Sequence, residues 1–113
     1  MNKVHIKLTG TDDLYNVQQL WATPEVMQYV GFPAGLHETM EHLERKWLPW
    51  VQNPPMRQHF SIYEDCTGYC GESFYSIDSE GLACVDIKLM PQARGKGIAF
   101  TGLSYALNQA FSQ

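Results

Sequence analysis

The segment from Val85 to Ala99 constrains this chain more than any other. An alternating run over Leu82–Met90 places Ala83, Val85, Ile87 and Leu89 on one face of a predicted strand, which Pro91 closes. Gln92-Ala93-Arg94-Gly95-Lys96-Gly97 follows. An apolar stripe at helical spacing then runs from Ala99 or Phe100 through Leu103 and Ala106 or Leu107 to Ala110 or Phe111. A helix that starts directly after such a loop offers free backbone N–H groups and the positive end of its macrodipole. Glycines at 95 and 97 permit positive φ angles and let an anion approach the backbone. Arg94 and Lys96 add positive charge locally, in a chain whose 12 acidic and 8 basic side chains leave a formal charge of -4. Together these features make a cradle for a phosphate or pyrophosphate. As an isolated pair of charges, Arg94 and Lys96 would read instead as a solvated turn.

Two common phosphate motifs do not fit this stretch. A P-loop needs Gly-x-x-x-x-Gly-Lys-Ser/Thr, whereas Lys96 lies between two close glycines and no Ser or Thr follows it directly. A dinucleotide fingerprint needs a third glycine and a βαβ setting early in the chain.

Upstream, Val4, Ile6 and Leu8 alternate with His5 and Lys7, which predicts a half-buried strand ended by Gly10. Thr11 before Asp12 and Asp13 predicts a helix start, and Leu14, Val17, Leu20 and Trp21 give that helix its apolar face until Pro24. Residues 25–35 read as a loop with some local helix. Its Val26, Met27, Tyr29, Val30 and Phe32 either pack over the core or line a cleft, packing being the simpler reading of Tyr29 and Phe32. A second helix is predicted over about 36–52 from Leu36, Met40, Leu43, Trp47 and Val51, with Glu41 and Arg45 as an i,i+4 pair. Trp21, Trp47 and Trp50 read as packing residues. Three strands in series follow, around Phe60–Ile62, Tyr69–Ile77 and Leu82–Met90, with turns at Cys66-Thr67-Gly68 and Asp78–Gly81. Such short connections predict an antiparallel meander.

The size, 113 residues, is that of one domain. The acidic balance argues against a non-specific nucleic-acid binder. No apolar run approaches the roughly 20 residues that span a bilayer, and Met-Asn-Lys-Val-His lacks a signal-peptide core, so the expectation is a cytoplasmic protein without a membrane partner. Cys66, Cys70 and Cys84 are an odd set for a disulfide framework. Cys66-x-x-x-Cys70 is spaced tolerably for zinc, but no second ligand pair follows, so reduced thiols and no metal are expected. His37, His42 and His59 show no ligand pattern and read as surface or satisfied polar residues.

Gln92-x-x-Gly95-x-Gly97 between a strand and a helix resembles the acetyl-coenzyme A signature of the GNAT superfamily of N-acetyltransferases, and the order of elements before it resembles that fold over nearly the whole chain. The resemblance implies an α+β fold with a mixed sheet and the order β-α-α-β-β-β-α. It implies acetyl-coenzyme A as cosubstrate, with an amine as acceptor. Backbone N–H groups of Arg94, Gly95, Lys96 and Gly97, and of Ile98 and Ala99 at the helix start, would then hold the pyrophosphate, with Gln92 part of the signature. The backbone around Lys88, Leu89 and Met90 would pair with the pantetheine arm. Transfer in this family is direct, with a base or water chain removing the proton of the amine.

A usual GNAT domain continues with another strand, a helix and further strands, whereas this sequence stops at Gln113. The resemblance therefore implies a single, truncated domain over 1–113, without the tyrosine that often protonates the leaving thiolate. Many relatives carry a glutamate at the position aligned with Cys84. Asp86, on the same predicted face, is the nearest carboxylate and the candidate base, with Glu72 behind it. The Leu82–Met90 strand becomes an edge, which predicts a homo-oligomer formed through it. The alternative to an enzyme is an acyl-coenzyme A-binding or dimerising module without catalytic activity.

Overall fold

The computed structural model describes residues 3–112; Met1 and Asn2, on which the signal-peptide reading bears, and Gln113, where the chain stops, lie outside them. Four strands, β1 (Val4–Leu8), β2 (Arg57–Glu64), β3 (Gly68–Ile77) and β4 (Ala83–Leu89), form one sheet in the order β1-β2-β3-β4. Every pairing in it is antiparallel. The β3–β4 turn is closed by Asp78, whose carboxylate accepts from the N–H groups of Glu80 and Leu82. That turn sets the register in which Ile77 faces Ala83 and, further along, Glu72 faces Lys88. Between β2 and β3 the register shifts after Ile62, leaving Cys70 as an extra residue on β3.

The alternation along the strands decides what each face meets. Phe60, Ile62, Tyr75, Val85 and Ile87 turn toward the last helix, α4 (Ile98–Ser112), and pack on Ile98, Ala106 and Ala110. The helix comes close because Gly102 has no side chain: a Cβ there would stand 2.7 Å from Ile87 Cδ1 and 2.8 Å from Ile62 Cδ1. The opposite face of α4 is bare among the described residues, with Phe100 and Phe111 exposed to 77% and 75%.

The other side of the sheet is covered by α1 (Leu14–Trp21), α2 (Pro24–Met27) and α3, a helical run over 40–51. Leu14, Leu20 and Leu43 are wholly buried, each worth roughly 1.5–3 kcal/mol of hydrophobic stabilisation. Three details differ from the sequence reading. Asp13, not Thr11, ties down the first helix: its carboxylate accepts from Gly10 N at 2.8 Å and from the Tyr63 hydroxyl, and Lys7 Nζ lies 2.9 Å away. The second helix begins at Met40 rather than near 36. Leu36 N instead bonds to Trp21 O at 2.7 Å, and Thr39 Oγ1 caps the new start by accepting from His42 N. The middle of α3 widens into a π-turn over Leu43–Trp47, where Leu48 N reaches back to Leu43 O. Pro49, next in line, has no N–H to give and its ring crowds the preceding turn.

Candidate functional site

The loop read from sequence as a cradle is an exposed backbone arch. Ala93 and Ile98 are buried and act as anchors, in one cluster with Ile62 and Cys70; residues 94–97 arch between them in solvent. Gly95 and Gly97 adopt φ of +79° and +75°, and nothing stands within 4 Å of a Cβ built on either. The space above the loop is open, and the loop needs glycine for its left-handed turns rather than for close packing. The first N–H groups of α4 have no intrahelical partner. Ile98 can offer only its N–H, because its side chain is buried in the core.

The two basic side chains of the loop are held in place by the protein. Arg94 donates to Glu25 O at 2.9 Å. Lys96 Nζ lies 3.1 Å from Glu64 Oε1 and donates to Thr67 Oγ1 at 2.8 Å. Thr67 and Lys96 together hold the Glu64 carboxyl below the ordinary carboxylate range. A cleft of about 390 Å3 runs from Arg94 and Ala99 along Ile87, Lys88 and Leu89 to Val26, Tyr29 and Val30. Tyr29 is 76% exposed, so the simpler packing reading of this residue gives way to a cleft-lining one. β4 pairs only with β3, which leaves its outer backbone edge without a strand partner among the described residues.

On the face away from α4, Asp86 and Glu72 come together across neighbouring strands. They line a second cleft of about 230 Å3 with Lys88, His59 and the rings of Trp21, Trp47, Trp50 and Phe74. Glu72 is 3% exposed. Trp21 Nε1 donates to its Oε1 at 2.8 Å, His59 Nε2 lies 3.0 Å from the same oxygen, and Lys88 Nζ lies 3.5 Å from Oε2. Burial by itself raises the Glu72 pKa; His59, Lys88 and Trp21 outweigh it and hold the carboxyl at about 2. Lys88 also pairs with Asp86. Burial pulls the lysine pKa down, but Glu72 and Asp86 outweigh it and keep it above its ordinary value. Behind them, His59 Nδ1 meets Thr9 Oγ1 at 2.7 Å, which in turn meets Ser61 Oγ at 2.7 Å.

His59 is thus a buried member of the site, 2% exposed, and not a surface residue. Trp21 and Trp47 do pack, their rings 5.0 Å apart and edge to face, but they also wall the cleft. The register set by the Asp78 turn could have paired Glu72 with Lys88 from sequence; nothing local signals that His59, Thr9 and Trp21 join them. Among the described residues no group of three or more His, Cys, Asp or Glu could hold a metal ion, and no helix is long and apolar enough to cross a membrane.

An antiparallel meander, a glycine arch and a long helix whose start opens on a cleft define an α+β class of domain. Residues 5–113 match the family model for the acetyltransferase (GNAT) domain, and the chain belongs to that family. Comparison with curated proteins finds no match. Among solved structures, the spermidine N-acetyltransferase from Vibrio cholerae in complex with CoA and spermine superposes with a TM-score of 0.76 at 19% identity. That match covers 96% of this chain and 64% of the other. The spermidine/spermine N-acetyltransferase from the same organism, in complex with manganese ions, gives a TM-score of 0.68 at 18% identity over 97% of this chain and 62% of the other. The chain therefore spans just under two thirds of the length of these structures.

Proposed function

We propose that this chain binds acetyl-coenzyme A at the 94–97 arch and transfers its acetyl group to an amine. The observation that carries the reading is the arch itself, two glycines in left-handed geometry with open space above them at the start of a 15-residue helix. Arg94, Gly95, Lys96 and Gly97, with the N–H groups of Ile98 and Ala99, hold the pyrophosphate, and Gln92 belongs to the same signature. The outer edge of β4 and the adjoining backbone, at Lys88, Leu89 and Met90, pair with the pantetheine arm along the 390 Å3 cleft. When bound, acetyl-coenzyme A supplies an activated thioester.

The acceptor side is the acidic cleft. An ammonium must lose a proton before its nitrogen can attack. Asp86, on the outward face of β4 and 47% exposed in its side chain, is the carboxylate placed to take that proton directly or through water. Glu72 is unsuited to the task, because a carboxyl held at about 2 is a poor base near neutrality. It serves as a fixed anion that orients Lys88. The relatives in complex with CoA and spermine or named for spermidine support an amine as acceptor. Self-association completes the proposal: the Ala83–Asp86 end of β4 and the bare face of α4 invite a second copy, which solution mass tests.

Calorimetric titration with acetyl-coenzyme A should show saturable binding near one site per chain, followed by release of free thiol when an amine is added. Replacing both Gly95 and Gly97 with valine should abolish binding, since a β-branched residue resists φ near +75°. Unchanged affinity in that variant refutes the cradle. Binding without thiol release from any amine refutes the transfer reaction.

A further inference from the structure

We infer that Lys88 sets acceptor specificity by occupying one of the two cation seats of the acidic cleft, so that the favoured acceptor carries a single ammonium on an aromatic or apolar body. The inference rests on the amine-acceptor reading above and goes beyond it in naming the class of amine.

Which charged groups of the cleft are enclosed and which are reachable carries the argument. Its ionisable walls are Glu72, Asp86, Lys88 and His59. Glu72 is wholly committed: Trp21, His59 and Lys88 surround it, and its side chain is 4% exposed. Lys88, 15% exposed, bridges Glu72 and Asp86 as an internal ammonium. Glu72 is enclosed by these partners, so the carboxylate of the lining that an incoming molecule can reach is Asp86, its side chain 47% exposed. One ammonium satisfies it. A second finds Lys88 already in the remaining seat and meets like charge there.

The rest of the lining fits an apolar body rather than a cationic chain. Trp47, Trp50 and Phe74 line the cleft with aromatic rings, and Arg57 already lies over the Trp50 ring at 4.3 Å, which disfavours a further cation on that face. Lys88 also lines the cofactor cleft, which puts the residue that counts charge at the junction where amine and thioester meet.

Equilibrium binding of phenethylamine and of spermidine to the full chain, followed by tryptophan fluorescence at low salt, tests this directly. The wild type should prefer phenethylamine. Lys88→Met should shift the affinity ratio toward spermidine by about tenfold or more, because one charge has left a poorly solvated site. Lys88→Arg should keep the wild-type preference. If Lys88→Met does not fold, Asp86→Asn decides: it should remove phenethylamine binding, the reachable carboxylate being gone. Tighter wild-type binding of spermidine, no binding of either amine, an unchanged ratio in folded Lys88→Met, or undiminished phenethylamine binding in Asp86→Asn each overturns the inference. Absence of acetyl transfer with the binding pattern intact overturns the enzymatic reading alone.

Discussion

Glu72→Gln isolates the electrostatic centre of the cleft between β3, β4 and the tryptophans. The substitution keeps the shape of the side chain and removes its charge. In the folded protein the carboxyl sits at about 2 against an ordinary 4.5, which is worth about 3 kcal/mol at roughly 1.4 kcal/mol per pKa unit. Because the folded pKa lies below the unfolded one, this contribution is complete above about pH 4.5 and disappears as the pH falls through about 2. The variant lacks it at every pH. Asp13 and Glu64 also have lowered pKa values, so acid sensitivity of the wild type is not diagnostic by itself; both proteins share that part. The informative quantity is the stability difference between them. Urea unfolding followed by tryptophan fluorescence should give a gap of about 3 kcal/mol near pH 6, closing to nearly nothing near pH 2. A gap that stays constant across that range would mean Glu72 is not held as an anion by His59, Lys88 and Trp21, and would refute the account of the cleft.

Other perturbations separate architecture from cofactor binding. Gly71→Ala places a Cβ 2.0 Å from Lys88 O at a residue with φ of +152°, so β4 must shift; a loss of about 2–4 kcal/mol is expected in urea unfolding, and a silent substitution would refute the close β3–β4 approach. Gly102→Leu should lift α4 off Ile62 and Ile87 and lower stability by about 1–3 kcal/mol, whereas Gly102→Ala, which meets only the flexible ends of those side chains, should cost less; equal melting temperatures for all three proteins would contradict the packing. Lys96→Ala should weaken acetyl-coenzyme A binding about tenfold at low salt, and Glu64→Gln, which removes the anion competing for Lys96, should strengthen it severalfold; calorimetry showing neither change would exclude Lys96 from the cradle.

Much of the fold is local and therefore legible. Val4, Ile6 and Leu8 announce β1, and Asp78–Gly81 announces a turn. Pro91 and the two glycines mark the passage from β4 to α4, all within a few residues of the features they control. The errors lie where a local pattern met a distant partner. Leu36 has helical spacing with Met40, but Leu36 N is claimed by Trp21 O, and the helix waits for the Thr39 cap. Pro49 sits inside an otherwise convincing apolar stripe, and the helix keeps going only by widening before it.

The same division runs through the function. The sequence alone determined the glycine arch, the helix behind it and the strand before it, because such an arch is made of consecutive backbone groups whose geometry depends on nearby residues. It also placed Asp86 and Lys88 on one face of β4, since alternation is a property of a single strand. Only the tertiary structure decided what those two side chains do. Glu72 comes from β3, His59 from β2, Trp21 from α1 and Trp47 from α3, and their meeting depends on sheet register and helix packing across up to 51 residues of sequence, as in the Trp21–Glu72 hydrogen bond. Burial then changed their chemistry, turning Glu72 into a fixed anion and Lys88 into its held counterion, because a charge removed from water keeps its ionised form only where partners from elsewhere in the chain surround it.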